Sequence, residues 1–151
     1  MEQASLFTFP QPLNIPVILP NGREGYILAQ DYSYEWTFKG NLYKIVVPKG
    51  FMYDGASVPR AVWTLSGITP DGLIRAAATV HDELYDCRGR IPDGMLFVRQ
   101  GGEWLEIKGS VWPRVECDNL FYRILIDSGY PDTKAYAAYL AVRAFGFTGW
   151  N

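Results

Sequence analysis

Hydrophobic and polar residues alternate with a period of about two in the first third of the chain. The apolar positions of this stretch are Tyr26, Leu28, Tyr32, Tyr34 and Trp36. A turn signal at residues 39–41 separates them from a second apolar run at residues 42–47. Strand-like runs joined by a glycine-containing turn are typical of a β-hairpin, so the pattern predicts one over residues 25–50.

The segment before this hairpin is rich in proline and carries no sustained period. Pro10, Pro12, Pro16 and Pro20 interrupt it repeatedly, and the turn dipeptide Asn21-Gly22 follows. Residues 1–24 are therefore predicted to form an extended arm that wraps the surface or joins the edge of a sheet.

A loop with helix-start signals follows the hairpin, at residues 51–60. Ser57 is a good N-cap residue and Pro59 favours the first turn of a helix. The sequence predicts a short helix here that ends near Leu65.

The period changes to about 3.6 after Gly72, which indicates a helix buried around much of its circumference. Its apolar positions are Leu73, Ile74, Ala77, Ala78, Val80 and Leu84, and it is expected to end at Gly89. Residues 95–107 form two short apolar runs around Gly101-Gly102 and predict a small hairpin. Further helices are predicted from about Pro113 to Gly129 and from Asp132 to Gly146.

The order of the elements predicts a single α+β domain over residues 1–151. Its parts are the arm 1–24, an antiparallel hairpin at 25–50, and a helical part at 51–151. The helical part has three to four helices, and the hairpin 95–107 forms a small wing between the helix of His81 and the helix of Asp118.

Composition narrows the functional classes. The 151 residues are 48% hydrophobic and 20% charged, which favours one globular domain over disorder. The formal charge of −2 argues against broad nucleic-acid binding. The single histidine excludes sites that need several histidines.

The same sequence predicts no signal peptide and no transmembrane segment. The expected location is therefore a cytoplasm, and the two cysteines, Cys87 and Cys117, are too few for a disulfide framework. A single bridge between them stays open, as does an inert structural role for both.

The sharpest candidate site is the sequence His81-Asp82-Glu83-Leu84-Tyr85. If its helix packs antiparallel to the next one, Asp118 meets His81, fixes its tautomer and leaves the other ring nitrogen as a base toward water. Tyr85 shares a face with His81 and would orient Asp118. Asp82 would then be available to bind a hard cation such as Ca²⁺.

A satisfied core pair is the alternative interpretation of His81 and Asp118, because paired groups also occur for structural reasons. The loop that starts at Asp54 has a similar pair of interpretations. It is a turn with an N-cap, or it brings Asp54 near His81 as a second acidic group and tentative metal ligand. Ser57 as a nucleophile is disfavoured because no G-x-S-x-G pattern surrounds it.

An ordered set of short motifs resembles the domain-of-unknown-function family numbered 1353. The motifs are Phe51-x-x-Asp54-Gly55-Ala56-Ser57-Val58-Pro59-Arg60, Arg75-Ala76-Ala77, His81-Asp82-x-Leu84-Tyr85, Asp118-x-x-Phe121 and Val142-Arg143-x-Phe145-Gly146. They span about residues 43–147. Members of that family are encoded largely by tailed phages and prophages, so the resemblance implies a phage origin and no particular chemistry.

A second, local resemblance covers His81-Asp82-x-x-Tyr85 and Cys117-Asp118-x-x-Phe121. This helix pair is similar to the catalytic helices of secreted calcium-dependent phospholipases. The resemblance implies that His81 activates water, Asp82 binds Ca²⁺, and Tyr85 and Asp118 orient the histidine.

These observations lead to three functional hypotheses. The first is a small phage hydrolase whose His81, Asp118 and Tyr85 direct water at an ester or acyl bond of a lipid or the cell envelope, with Asp82 and Asp54 as metal ligands. The second is a non-enzymatic virion protein, tail- or capsid-associated, that binds other virion proteins. The third is a phage effector that binds a host factor. The expected location is the virion or the host cytoplasm.

Overall fold

The computed structural model describes residues 9–54, 58–68 and 73–150, which form two antiparallel sheets and five helices. In chain order the strands are β1 (Asn14–Ile18), β2 (Glu24–Leu28), β3 (Tyr32–Phe38), β4 (Asn41–Val47), β5 (Met52–Tyr53), β6 (Leu96–Gln100) and β7 (Glu103–Glu106). The helices are α1 (Arg60–Ser66), α2 (Arg75–Asp86), α3 (Arg114–Asp127), α4 (Asp132–Phe145) and α5 (Phe147–Trp150). The predicted α+β class is confirmed.

The predicted N-terminal hairpin is formed by β3 and β4. Their register runs from Tyr32 opposite Val47 to Phe38 opposite Asn41. Lys39 and Gly40 join the strands with φ values of 49° and 80°, as a tight turn that follows the strand twist requires.

The alternating run that suggested one long first strand belongs to two strands in different sheets. The chain leaves the β2 direction at residues 29–31, where the Asp31 carboxylate accepts a hydrogen bond of 2.7 Å from the Lys49 backbone N–H. β2 lies between β1 and β5, whereas β3 starts the four-stranded order β3-β4-β6-β7. Periodicity alone does not reveal this break, because the apolar positions on both sides keep the same parity.

Part of the proline-rich arm enters a sheet, as one of the two predictions for it required. β1 pairs antiparallel with β2 along its whole length, from Asn14 opposite Leu28 to Ile18 opposite Glu24. Residues 1–8 of the predicted arm lie outside the described residues.

The predicted hairpin 95–107 is present as β6 and β7, and it extends a sheet rather than forming a separate wing. β6 pairs with β4, with Ile45 opposite Leu96. The hairpin between α2 and α3 therefore belongs to the same four-stranded sheet as the β3–β4 hairpin.

Proline residues precede the first residue of three of the helices. Pro59, Pro113 and Pro131 occupy the N-cap positions of α1, α3 and α4, and α4 begins at Asp132 as predicted. Ser57, the predicted cap of α1, lies outside the described residues. The short helix α5 was not predicted.

Helix α2 is the centre of the helical part, since every residue from Ala76 to Tyr85 is buried. It packs against α3 and α5 and against β4 and β5, while α4 packs against α1 and α3. Small residues at 76–78 let these neighbours approach closely. Within the described ranges, no helix combines the length and the apolar character needed to cross a membrane.

Gly89 fixes how the end of α2 meets the start of α3. Its φ is +74°, and a Cβ at this position would lie 1.9 Å from the Trp112 carbonyl oxygen. The Trp112 backbone N–H donates to the Gly89 carbonyl at 2.8 Å. The two chain segments are thus in contact at a point where only glycine fits.

Gly89→Ala should therefore lower the free energy of unfolding strongly. Gly102→Ala is the matched control, because Gly102 also has a positive φ, of +80°, but has open space around its Cβ position. We expect a cost of about 1 kcal/mol for the control, from backbone strain alone, and at least about twice that for Gly89→Ala. Urea denaturation measures both, and equal losses would contradict the close contact.

Candidate functional site

The carboxylate of Asp118 is the centre of a buried polar cluster. His81 Nε2 lies 2.7 Å from Asp118 Oδ1, and the Tyr85 hydroxyl donates to the same oxygen at 2.6 Å. His81 and Tyr85 are one turn apart on α2, so both face α3, where Asp118 lies one turn in from the helix start. Two side chains of α2 therefore converge on one oxygen of α3.

Two arginines bind the other oxygen. Arg143 Nη1 donates to Asp118 Oδ2 at 2.7 Å, and Arg114 Nη1 forms an ion pair with the same oxygen at 3.5 Å. Arg114 is four residues before Asp118 on α3, whereas Arg143 comes from the last turn of α4. The carboxylate thus links α2, α3 and α4.

Arg114 also binds the C-terminal end of α4. Its guanidinium donates to the carbonyl oxygens of Val142, at 3.3 Å, and Arg143, at 3.1 Å. A further bond of 3.3 Å reaches the Tyr85 hydroxyl. A cation at a helix C-terminus satisfies carbonyls that have no partner inside the helix and interacts favourably with the helix dipole.

The cluster keeps Asp118 ionised. Burial by itself would raise the pKa of Asp118, but hydrogen bonds from His81, Tyr85 and Arg143 outweigh burial and lower this pKa below its usual 3.8. The pKa of Tyr85 is raised by burial and by its bond to Asp118. An ionised carboxylate only accepts hydrogen bonds, so His81 Nε2 carries the proton that it shares with Asp118.

The His81 side chain is sealed from solvent. Its exposed fraction is 0%, and so is that of Asp118. The His81 ring centroid lies 4.1 Å from that of Tyr85 and 4.9 Å from that of Phe121. Trp150 of α5 packs edge-on against Tyr85, with centroids 5.1 Å apart. Aromatic rings therefore pack against the His81 and Tyr85 side of the cluster, whereas the Arg114 and Arg143 side chains remain 20% and 31% exposed.

The structure brings together His81, Asp118 and Tyr85, the three residues predicted as the reactive group. The helices that carry them, α2 and α3, pack antiparallel as predicted. Sequence reasoning did not assign roles to Arg114 and Arg143. Arg143 could have been proposed from the motif Val142-Arg143, because a buried carboxylate needs a cation nearby and this motif contains one. Arg114 could have been proposed from its spacing, because it lies four residues before Asp118 and therefore on the same helix face.

The two predicted metal ligands lie toward a different side of α2. Asp82 is 8% exposed and close enough to Tyr53 for its charge to act on that phenol. Burial first, and Asp82 second, raise the pKa of Tyr53 to about 12. Asp54 follows Tyr53 directly and lines a groove of about 840 Å³.

This groove runs between the first sheet and α2. Its polar lining includes Asp54, Arg75 and Glu24, and its apolar lining includes Trp63 and Ala78. His81 is not among the residues that line it. Asp54 and Val58 both line this groove, and residues 55–57 lie outside the described part of the chain.

The donors expected for calcium do not form a complete set in the described structure. No three His, Cys, Asp or Glu side chains within residues 9–54, 58–68 and 73–150 are grouped closely enough to hold a metal ion. Asp82 and Asp54 alone would leave most of the six to eight oxygen ligands of Ca²⁺ to be supplied by other groups. These residues therefore do not by themselves fit a calcium site.

Three other titratable side chains, those of Glu83, Cys87 and Cys117, lie on α2 or close to it and have raised pKa values. Burial and the neighbouring charges of Asp86 and Asp82 raise the pKa of Glu83 to about 7. Cys87 and Cys117 are both free thiols, so the bridge that was left open does not form. Burial raises the pKa of Cys87 to about 11 and also raises that of Cys117, which makes both poor nucleophiles.

Comparison with known proteins identifies a family. A family model described as "Protein of unknown function (DUF1353)" matches residues 26–142, which is most of the chain. The match includes His81, Tyr85 and Asp118, and it ends one residue before Arg143. No curated protein and no solved structure was found to match the chain.

Replacing Asp118 tests whether the cluster stabilises the fold. Asp118→Asn leaves Arg143 and Arg114 without their anion, so we expect the free energy of unfolding to fall by about 3 kcal/mol near neutral pH. Because the folded-state pKa is lowered, this contribution is present above the usual pKa of 3.8 and is lost as the pH falls through the lower folded value. Denaturant titrations at several pH values measure the difference from the wild type.

Glu116→Gln is the control for this substitution, since Glu116 is an exposed carboxylate two residues earlier on the same helix. Its effect should stay below about 0.5 kcal/mol at every pH. A similar, small effect for both variants would contradict a stabilising role for the Asp118 cluster.

Proposed function

This chain belongs to the DUF1353 family, whose description assigns no activity, and we propose from its geometry that it is a non-enzymatic structural protein. The role we propose is that of a tail- or capsid-associated component of a phage particle, which binds other virion proteins. The phage assignment rests on the motif resemblance, since that family is encoded largely by tailed phages.

The complete burial of His81 and Asp118 carries this proposal. A general base must come within hydrogen-bond distance of the proton that it removes. His81 Nε2 is engaged by Asp118, and the ring is enclosed by Tyr85 and Phe121. This arrangement supports a role in joining α2, α3 and α4.

The exposed edge of the first sheet offers a surface for a protein partner. Leu13, Ile15 and Ile18 are exposed by 56%, 52% and 70% of their surface, and they lie in or next to β1. β1 is the outer strand of the order β1-β2-β5 in the described part of the chain. An edge strand with exposed apolar side chains is suited to strand addition by another protein.

Purified particles test the proposed role. Mass spectrometry of particles produced from the genome that encodes this chain should detect it at a ratio comparable to that of other minor structural proteins. Its absence from particles, together with its presence in the lysed host cells, would contradict the proposal.

A second candidate function is hydrolysis at His81. It is favoured by the shared oxygen Asp118 Oδ1, which binds His81 Nε2 and the Tyr85 hydroxyl at 2.7 Å and 2.6 Å, because a carboxylate placed this way fixes the tautomer and the orientation of the imidazole ring. Under this hypothesis the substrate is an ester or acyl bond of lipid or cell envelope, and Asp82 would be one ligand of a Ca²⁺ ion that takes most of its oxygen ligands from other groups.

One assay separates the two candidates. Hydrolysis of p-nitrophenyl butyrate and of phosphatidylcholine vesicles is measured with Ca²⁺ or with a chelator, for the wild type and for His81→Ala. We expect no turnover that depends on His81. We also expect the free energy of unfolding of His81→Ala to fall by about 2 kcal/mol, because the buried Asp118 carboxylate loses the hydrogen bond from His81.

The opposite result would overturn the structural role of His81. Turnover by the wild type that His81→Ala abolishes, with the unfolding free energy unchanged, would identify His81 as the base. Asp82→Asn is the further variant for that case, since loss of Ca²⁺-dependent turnover in it would assign the metal to Asp82.

A further inference from the structure

A second groove, of about 920 Å³, lies between α3 and the four-stranded sheet, away from the groove beside Asp54. Six aromatic side chains line it, and they come from strands, loops and helices. They are Trp36, Phe38, Tyr43, Trp112, Tyr122 and Tyr130. This volume lies at the upper end of the range of about 300–1,000 Å³ that is typical of ligand-binding clefts.

Its aromatic wall is built by the β3–β4 hairpin. Trp36 stacks on Tyr43 across the two strands, with centroids 5.7 Å apart, and meets Trp112 edge-on at 6.0 Å. All three rings are only partly buried, so each keeps surface toward the groove. Strand pairing holds Trp36 opposite Tyr43, which makes this wall rigid.

Polar side chains line the opposite wall, along α3. Asp127 Oδ2 accepts a hydrogen bond of 2.5 Å from the Tyr34 hydroxyl, and Arg123 Nη1 donates to the Thr37 carbonyl at 3.3 Å. These bonds fix the two charged groups between sheet and helix. Asn119, one turn before Arg123, adds an amide that both donates and accepts.

The charges of the groove limit the chemistry of its ligand. Among the described residues that line it, Glu116, Asp127 and Asp132 are negative and Arg123 alone is positive. The excess of carboxylates disfavours phosphates, nucleotides and other anions. A cation would be attracted by the carboxylates but would also lie close to the positive charge of Arg123.

We infer that this groove binds an uncharged oligosaccharide. Each sugar hydroxyl both donates and accepts, which matches a wall that carries carboxylates, an amide and a guanidinium together. The apolar faces of pyranose rings fit against aromatic side chains, and the half-buried Trp36, Tyr43 and Trp112 provide them. This inference does not depend on the proposed function, since the site shares no residue with the His81–Asp118 cluster.

Calorimetric titration of the full chain with cellohexaose, maltohexaose and chitohexaose tests the inference. At least one of these neutral hexasaccharides should bind saturably and change the tryptophan fluorescence, because two tryptophans line the groove. Pentalysine, titrated in parallel, is the cationic probe and should not bind.

Tyr122 and Tyr136 provide a matched pair of variants. Their rings are 6.1 Å apart in the same surface cluster, but only Tyr122 lines the groove, and Tyr136 is 50% exposed on α4. Tyr122→Ala should lower the association constant about tenfold or more, whereas Tyr136→Ala should leave it unchanged. Asn119→Ala, at an exposed helical position, should also weaken binding and keeps the test valid if Tyr122→Ala does not fold.

Three results would overturn the inference. They are the absence of saturable binding to all three hexasaccharides, equal effects of Tyr122→Ala and Tyr136→Ala, and binding of pentalysine in preference to the sugars. Because none of them changes the His81 cluster, they are distinct from failure of the structural role proposed above.

Discussion

A single buried negative charge organises the helical half of this protein. An ionised carboxylate without water is tolerated only when opposite charges and hydrogen-bond donors surround it. Asp118 obtains these from α2, through His81 and Tyr85, and from α4, through Arg143. Each helix must therefore reach its position before the charge is satisfied, so the position of the three helices relative to one another depends on this carboxylate.

The cluster also explains why the same residues suggested an enzyme. A catalytic dyad and a structural pair use the same histidine–carboxylate bond, and the difference between them is access for water and substrate. Here aromatic rings close the site around His81, and the helix end that contains Val142 is held in place by Arg114. His81 is not among the described residues that line the groove beside Asp54 or the groove along the aromatic hairpin.

Local patterns in the sequence predicted most of the elements and the meeting of His81 with Asp118. Helical spacing carries that information, since residues one turn apart must share a face. The division of the N-terminal strands into two sheets was not predictable, because it depends on long-range pairing of β2 with β1 and β5. The motif Val142-Arg143 offers a cation, but only the packing of α4 on α3 identifies Asp118 as the partner of Arg143.

The sharing of one carboxylate among several partners has a consequence for how such a sequence changes over time. A substitution of Asp118 alone leaves the guanidinium groups of Arg114 and Arg143 without their carboxylate partner. A substitution of Arg143 alone removes the arginine that lies closest to the buried carboxylate. Neutral drift at either position is therefore blocked unless the other changes as well. Relatives that replace this aspartate with an apolar residue should have lost the arginine of α4 too, so we expect Asp118 and Arg143 to change together across α3 and α4.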